Sequence, residues 1–174
     1  MCSFLFTNKE IEDLDYVNRY MEDRGPDSTN IVEVGDYTFI HNLLSISGEF
    51  TPQPFLNEER QIACVYNGEI YNYVEIRQEL ISLGHVFRTT GDTEVLAVAL
   101  KQWGVDALDR LEGMWAFAVY DEQEGSLTLC RDRFGEKPLY YYIDVNGNIF
   151  FGSEIKYIFQ MKMIQIEMVK KFIR

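Results

Sequence analysis

The first part of the chain alternates between apolar runs and one amphipathic stretch. The apolar run 2–7 predicts a short strand, and apolar side chains at helical spacing among acidic ones predict a helix over 8–22. Two β-rich runs, 31–34 and 37–41, are separated by a Gly-Asp pair, which is a hairpin signal. This region therefore predicts a strand, a helix and a β-hairpin in that order.

The middle of the chain passes from loop to strand to helix. Glycine and proline predict a loop over 47–59, and the apolar run 61–66 predicts a buried strand that ends at Asn67-Gly68-Glu69. Helical spacing then predicts three helices, of which the last is short, over 74–83, 93–103 and 105–111.

Strand patterns return in the last third of the chain and indicate the fold class. The β-rich runs, with turn residues between them, cover 114–120, 127–131, 139–143 and 149–151. The segment 155–174 is amphipathic and predicts a helix that needs a partner surface. Because the strands are joined by hairpins rather than by βαβ crossovers, we predict an α+β fold in which helices cover antiparallel sheets.

Composition narrows the class of protein. The chain has 174 residues, of which 47% are hydrophobic and 14% aromatic, and this suffices for the core of one domain. Its formal net charge of -12 argues against nucleic acid or an anionic membrane surface as a partner. No apolar run approaches the roughly 20 residues of a membrane-spanning helix, and the amino terminus lacks the pattern of a secretory signal. We therefore expect a cytoplasmic protein.

Cysteine and histidine are few and scattered along the chain. Cys2, Cys64 and Cys130 form no Cys-x-x-Cys pair, and His41 and His85 lack helical spacing, which argues against a metal site. The sequence also has no glycine-rich phosphate loop. We therefore expect no metal and no cofactor in this domain.

The position of Cys2 is chemically distinctive. Removal of Met1 leaves this residue at the amino terminus, where it supplies both a thiol and an α-amine. The α-amine has an ordinary pKa of about 7.7–8.0, so it acts as a base near neutral pH without burial. Enzymes with an N-terminal nucleophile use this pair of groups for acyl transfer. The alternative is a cysteine that only begins a buried strand.

Two further segments carry groups suited to the same chemistry. The amide of Asn67 and a backbone N–H near Gly68 suit the stabilisation of an oxyanion, although Asn-Gly is also a common turn. The pair Gly91-Asp92 is equally typical of a helix cap. Together, Glu69 and Asp92 offer two carboxylates with no histidine nearby in the sequence, which favours cation binding over acid–base catalysis.

An ordered set of short motifs resembles a known family. The motifs are Cys2-Ser3, Arg24-Gly25-Pro26-Asp27, Leu44-Ser45-Ile46, Gln53-Pro54, Asn67-Gly68-Glu69-Ile70-Tyr71-Asn72, Thr90-Gly91-Asp92-Thr93-Glu94, Leu111-Glu112-Gly113-Met114-Trp115-Ala116-Phe117-Ala118 and Arg131-Asp132-Arg133-Phe134-Gly135-Glu136-Lys137-Pro138-Leu139-Tyr140-Tyr141. This ordered set, with cysteine at position 2, is similar to the class II glutamine amidotransferase domain of glutamine-dependent asparagine synthetases. The resemblance covers residues 2–159, which is nearly the whole chain.

The resemblance implies a fold, a reaction and catalytic residues. The fold is the four-layer α-β-β-α sandwich of N-terminal nucleophile hydrolases, with two antiparallel sheets, over residues 1–160, and 161–174 begins a connector toward a synthetase domain. The reaction is hydrolysis of the side-chain amide of glutamine to glutamate and ammonia. Cys2 attacks the carboxamide carbon and its α-amine carries the proton to ammonia. Asn67 and the Gly68 N–H stabilise the oxyanion.

The resemblance also implies how the substrate is held and where the ammonia goes. Glu69 and Asp92 bind the α-ammonium group of glutamine, and the remaining substrate-binding residues are Gly91, Leu44 and Ile46. The ammonia passes to an ATP-pyrophosphatase synthetase domain or subunit. ATP and magnesium are expected only in that partner.

Leu43 departs from the pattern of the family. It stands where the family has an arginine that binds the α-carboxylate of glutamine. Another cation or backbone N–H groups replace the arginine, the substrate differs, or the site is impaired. In the last case the alternative function is a docking or regulatory module of the same fold. The synthetase motif Ser-Gly-Gly-x-Asp-Ser is absent, which leaves an excised domain, a split subunit or a free-standing relative as alternatives.

Overall fold

The strands and helices follow the predicted order. The computed structural model describes residues 2–45, 51–57 and 61–161. Within these residues the strands are β1 (Ser3–Thr7), β2 (Ser28–Val34), β3 (Tyr37–Leu43), β4 (Phe55–Asn57), β5 (Ile62–Ile70), β6 (Gly113–Asp121), β7 (Ser126–Arg131), β8 (Tyr140–Ile143) and β9 (Ile149–Gly152). The helices are α1 (Leu14–Met21), α2 (Tyr73–Ser82), α3 (Asp92–Trp103) and α4 (Ile155–Gln160), with a 3-10 helix over Gly104–Asp109.

Two antiparallel sheets form the centre of the described part of the chain. The first sheet has the strand order β2-β3-β1-β9-β8, and the second has the order β4-β5-β6-β7. β1 is the middle strand of the first sheet, and it pairs with β3 from Ser3 opposite Asn42 to Thr7 opposite Thr38. β5 pairs with β6 along its whole length. The first described strand therefore lies in the middle of its sheet rather than at the edge.

Helices cover the outer faces of both sheets. Under α1 and α4, one cluster of buried side chains contains Leu5, Val17, Met21, Ile40, Phe150 and Tyr157. Under α2 and α3, a second cluster contains Cys64, Tyr66, Ile76, Leu80, Leu96 and Phe117. Between the sheets a third cluster, the inter-sheet core, contains Phe4, Phe6, Phe39, Ala63, Val65, Ala116, Ala118 and Phe151. These clusters confirm the expected α+β class and the α-β-β-α layers.

An aromatic pair shows how the two sheets are aligned across the inter-sheet core. The ring of Tyr37, at the start of β3, lies with its centroid 4.6 Å from that of Tyr120 on β6. Tyr120 is opposite Ala63, near the start of β5. This contact marks one end of the core. The start of β1 and the last residues of β3 and β5 therefore lie together at the other end.

The first helix is shorter than predicted. It begins at Leu14 instead of residue 8, because Asp13 caps it. The Asp13 side chain accepts a hydrogen bond from the Tyr16 N–H at 2.8 Å, which satisfies one of the free donors of the first turn. The prediction over 8–22 was therefore wrong for its first six residues.

Two strand predictions are also corrected. The predicted loop 47–59 contains β4, which pairs with β5 at the edge of the second sheet. The strand that was predicted to end at Asn67-Gly68-Glu69 continues to Ile70, which lies opposite Gly113 on β6. The Asn-Gly pair is therefore part of a strand and not a turn, because β6 supplies partners along this whole stretch.

The described helices are short. The longest, α3, has 12 residues, and none of the described helices is long and apolar enough to cross a membrane. α4 covers the first six residues of the helix predicted over 155–174. Residues 162–174, and with them most of the predicted connector 161–174, lie outside the described residues, so that assignment stays a prediction.

Candidate active site

Cys2 lies immediately before β1, at the end of the inter-sheet core opposite the Tyr37–Tyr120 pair. Side chains alternate along a strand, so Cys2 belongs to the same face as Phe4, which is buried in that core. The sulfur lies 3.4 Å from the Leu44 backbone nitrogen, which donates to it, and 3.8 Å from the Leu44 carbonyl oxygen. The thiol is half-buried, so it is held by the backbone at the end of β3 while part of it stays exposed.

Asn67 lies at the same end of the core, on β5. By strand alternation it faces the inter-sheet core like Val65, and it is 4% exposed. Its amide nitrogen Nδ2 is buried and has no hydrogen-bond partner among the described residues. A buried donor without an acceptor costs free energy, and such groups are rare in proteins. Asn67 Nδ2 therefore indicates a place where a ligand atom accepts a hydrogen bond.

The Gly68 N–H is a second candidate donor next to Asn67. Hydrogen-bonding direction alternates along a strand, so this N–H points the same way as those of residues 66 and 70. The Tyr66 N–H donates to Gln53 Oε1 at 2.7 Å, and the Ile70 N–H donates to Asp92 Oδ2 at 3.1 Å. On this side of β5 the ladder with β4 ends at Cys64, so no described strand supplies a backbone acceptor for the Gly68 N–H.

Glu69 and Asp92 flank one peptide group at the end of β5. The Ile70 N–H, which belongs to the peptide after Glu69, donates to Asp92 Oδ2, and the same oxygen accepts a 2.7 Å hydrogen bond from the Tyr66 hydroxyl. Burial raises the pKa of Asp92, and the hydrogen bonds from Tyr66 and Ile70 oppose that rise. The Glu69 side chain is exposed. A carboxylate such as Asp92 suits a cationic ligand group. Among the described residues, no group of three histidine, cysteine, aspartate or glutamate side chains could hold a metal ion.

The loop before α3 is held by a buried carboxylate. Glu94 is fully buried, and it accepts hydrogen bonds from the Arg88 N–H at 3.1 Å and from the N–H and hydroxyl of Thr89 at 2.7 Å. An added Cβ at Gly91 would collide with Thr51 Oγ1, so only glycine permits this close packing. These contacts fix the start of α3 against the preceding loop and Thr51, and thereby place the residues that follow Gly91.

Leu43 lies at the end of β3, beside Cys2. Ser3 is opposite Asn42, so the next pair in the register of β1 and β3 joins Cys2 to Leu43. The side chain of Leu43 is half-buried. An apolar group thus lies next to the candidate nucleophile at the position where the resemblance predicts an arginine.

The structure brings several of the predicted site residues together. Cys2 contacts Leu44 directly, and Asp92 contacts the backbone of Ile70, the residue after Glu69. Cys2 and Leu44 lie at the same end of the inter-sheet core as Asn67, and the contact of Asp92 lies at the adjoining end of β5. Ile46 lies outside the described residues, so its predicted role is untested.

Sequence reasoning assigned no role to Tyr66, and it found Gln53 only as part of a motif, without a role. Tyr66 is 3% exposed, and a buried tyrosine needs a partner for its hydroxyl, so a tyrosine in a buried strand was the available signal. Gln53 lies in the predicted loop and binds the backbone of Tyr66 through its side chain. That contact is tertiary, and the local sequence pattern contains no sign of it.

A solved structure shows the class of fold. The glutamine phosphoribosylpyrophosphate (PRPP) amidotransferase from B. subtilis matches with a TM-score of 0.73 over 93% of this chain and 44% of that chain, at 20% sequence identity. At this identity the likeness concerns the fold alone. The fold is that of the N-terminal nucleophile hydrolases, as expected.

Sequence relatives identify the family. The family model described as glutamine amidotransferase domain matches residues 1–174. Asparagine synthetase (glutamine-hydrolyzing) 3 of Bacillus subtilis is 37% identical over 85% of this chain and 24% of its own length. A putative asparagine synthetase (glutamine-hydrolyzing) 1 of Methanocaldococcus jannaschii is 42% identical over 71% of this chain and 22% of its own length. The chain belongs to the glutamine amidotransferase domain family, which confirms the resemblance, and it spans less than a quarter of these relatives.

Proposed function

We propose that this chain hydrolyses the side-chain amide of glutamine to glutamate and ammonia, with Cys2 as the nucleophile. The observation that carries the proposal is the pair of adjacent donors that no described strand satisfies, Asn67 Nδ2 and the Gly68 N–H, at the end of the inter-sheet core where β1 begins. Amide hydrolysis develops negative charge on the carbonyl oxygen, and fixed donors in a buried site stabilise that charge. Membership of the glutamine amidotransferase family supports the same reaction.

The proposed reaction is acyl transfer to sulfur. After removal of Met1, the α-amine of Cys2 accepts the thiol proton and the sulfur attacks the carboxamide carbon. The tetrahedral oxyanion accepts hydrogen bonds from Asn67 Nδ2 and the Gly68 N–H. The C–N bond breaks as the α-ammonium group protonates the leaving nitrogen, so ammonia departs and a γ-glutamyl thioester remains. Water then hydrolyses the thioester, which releases glutamate and restores the thiol.

In this proposal the carboxylates at the end of β5 recognise the amino acid. Glu69 and Asp92 bind its α-ammonium group, and charge-assisted hydrogen bonds of this kind are about twice as strong as neutral ones. The backbone of Leu44 holds the sulfur at the reacting end of the substrate. The proposed site then contains a nucleophile, donors for an oxyanion and carboxylates for an ammonium group. A substrate with an amide and an α-ammonium group, such as glutamine, fits this set.

We further propose that the ammonia serves an ATP-dependent, amide-forming synthetase domain or subunit. The similar proteins from Bacillus subtilis and Arabidopsis thaliana are named asparagine synthetases, and this chain matches 24% of the length of each. Free ammonia is useful only where a second reaction consumes it. ATP and magnesium belong to that partner, because the proposed hydrolysis needs neither.

Replacement of the nucleophile tests the mechanism. We expect the active chain to begin at Cys2 by intact mass, to hydrolyse glutamine, and to be labelled by a glutamine-like electrophile at that residue. Cys2→Ala is expected to lower kcat roughly a thousandfold or more. Cys130→Ala, which removes the half-buried thiol on β7, is the matched control and keeps full activity. Full activity in Cys2→Ala, or in a chain that retains Met1, would refute the mechanism.

A docking or regulatory module of the same fold is the second candidate function. Leu43 favours it, because this apolar side chain lies beside Cys2 where a cation for the α-carboxylate is expected. Calorimetry with glutamine and glutamate separates the two functions. Ordinary affinity for either amino acid excludes the module, whereas no binding by the wild type together with turnover by Leu43→Arg supports it.

A further inference from the structure

Tyr66 connects the two halves of the candidate site. Its side chain packs under α2 and α3 and is 3% exposed. Its hydroxyl donates a 2.7 Å hydrogen bond to Asp92 Oδ2. Its ring lies against Gly68, where an added Cβ would be 2.8 Å from Tyr66 Cε2. One buried side chain therefore contacts both the glycine that carries an oxyanion donor and the carboxylate proposed to bind ammonium.

The position of the Tyr66 hydroxyl is itself well defined. The backbone of Tyr66 lies opposite Phe117 within the sheet, and its N–H donates to Gln53 Oε1 at 2.7 Å. Gln53 is buried, so this hydrogen bond is protected from water. With the backbone held on both sides and the ring packed in the core, the hydroxyl reaches Asp92 from a fixed point.

The Tyr66 hydroxyl acts on both the orientation and the charge of Asp92. Asp92 Oδ2 accepts hydrogen bonds from this hydroxyl and from the Ile70 N–H, which together restrict the side chain to one orientation. Burial raises the pKa of Asp92, whereas the hydrogen bond from Tyr66 lowers it and favours the ionised carboxylate. The α-ammonium group of a substrate binds strongly to a carboxylate that is both correctly placed and ionised.

We propose that Tyr66 is a positioning residue for substrate recognition, and that its hydroxyl holds the Asp92 carboxylate in the orientation that receives the α-ammonium group of glutamine. This inference rests on the proposed function, because it takes Asp92 as the ammonium ligand. Tyr66 takes no part in the bond-making and bond-breaking steps at Cys2. Its contribution therefore belongs to substrate binding and not to the chemical step.

The Tyr66→Phe variant tests this role, because it keeps the ring against Gly68 and deletes only the hydroxyl. We expect KM for glutamine to rise about tenfold while kcat stays within about twofold of the wild-type value, as for loss of one hydrogen bond to a charged group.

The acid limb of kcat/KM is expected to move to higher pH in this variant, because loss of the hydroxyl raises the pKa of Asp92. Tyr120→Phe deletes a phenol hydroxyl at the opposite end of the inter-sheet core and leaves both parameters unchanged.

A double variant separates positioning from general damage. When Asp92→Asn is already present, Tyr66→Phe should cause no further rise in KM, because the carboxylate that it positions is gone. An unchanged KM and pH profile in Tyr66→Phe overturns the inference, and so do independent, additive effects in the double variant.

These outcomes differ from failure of the proposed function, in which the wild type neither binds nor hydrolyses glutamine. In that event, carbon-13 NMR still follows the titration of the Asp92 carboxyl in the wild type and in Tyr66→Phe. A higher pKa of Asp92 in the variant supports the contact that the inference requires. Equal pKa values in the two proteins overturn it.

Discussion

Gly68 lies where the neighbouring atoms leave no room for a side chain. An added Cβ would meet the Met114 carbonyl oxygen, the Trp115 Cα at 2.8 Å and the Tyr66 ring at 2.8 Å. Two of these atoms belong to the backbone of β6, which is held between β5 and β7 and cannot move aside at low cost. Glycine at position 68 therefore allows close approach of two strands beside the proposed oxyanion donors.

We expect Gly68→Ala to lower the free energy of unfolding by about 3 kcal/mol through overpacking, as measured by urea denaturation. Glutaminase activity falls as well, because the neighbouring donors shift. Gly125→Ala serves as the comparison, since its φ is 59° and nothing lies within 4 Å of an added Cβ. There only the left-handed backbone is strained, which costs about 1 kcal/mol. Equal losses in the two variants would contradict the packing argument.

At the residue scale, the sequence selected candidate groups that the fold brings to one region, but it misjudged some of their conformations. Motif and position selected Cys2 and Asn67, and the structure places both at one end of the inter-sheet core. Local turn preference misjudged the Asn-Gly pair, because the pairing with β6 overrides it. Tyr66 was missed because its partner, Asp92, lies 26 residues further along the chain. Only the folded chain brings these two residues together.

At the scale of elements, α3 depends on the loop that precedes it. The Glu94 carboxylate, in the first turn of α3, accepts the hydrogen bonds that fix residues 88–89. An amide at this position offers one acceptor oxygen where the carboxylate offers two. The orientation of the loop, and with it the position of Asp92, therefore depends on the two acceptor oxygens of one buried side chain.

We expect Glu94→Gln to lower the free energy of unfolding by about 2 kcal/mol, because hydrogen bonds to a charged group contribute about 1.5–3 kcal/mol each. KM for glutamine should rise too, because Asp92 follows the loop. Glu75→Gln, which changes an exposed acid in the first turn of α2, is expected to alter stability by about 0.5 kcal/mol or less. An unchanged urea midpoint in Glu94→Gln would show that the loop is held by other contacts.

Hydrophobic periodicity located most helices and strands. It failed where a single capping side chain or a distant partner strand determines the ends of an element. α1 begins late because Asp13 caps it, although the apolar spacing extends further toward the amino terminus. β4 has three residues, which is too short for a periodic pattern, and it exists because β5 presents a free edge. These boundaries depend on tertiary contacts, so no window of local sequence contains them.

For the whole molecule, the α+β class followed from the order of helices and strands. That order did not predict which strands belong to which sheet. β7 ends the second sheet, whereas the next strand, β8, lies at the edge of the first sheet. β9 then pairs with β1, so the two ends of the described chain meet in one sheet. Such pairing joins residues far apart in sequence, and only the family resemblance anticipated the sandwich.

The layer between the sheets also gives the molecule a pH-dependent stability. His41, on β3 opposite Phe4, is fully buried, and burial lowers its pKa from 6.5 to about 4. Between these two values the unfolded chain binds a proton that the folded chain excludes. Stability therefore falls as the pH drops through this range, by about 2 kcal/mol between pH 7 and pH 5.

Urea denaturation of the wild type and His41→Gln at pH 7 and pH 5 measures this effect. The wild type should lose about 2 kcal/mol more than the variant between the two pH values, because the variant has no imidazole to protonate on unfolding. Any overall cost of glutamine at the buried position cancels, because each protein is compared with itself. Equal losses of unfolding free energy in the wild type and His41→Gln would contradict this argument. They would mean that the folded chain accepts a charged imidazolium opposite Phe4, and that water reaches the layer between the sheets near Cys2.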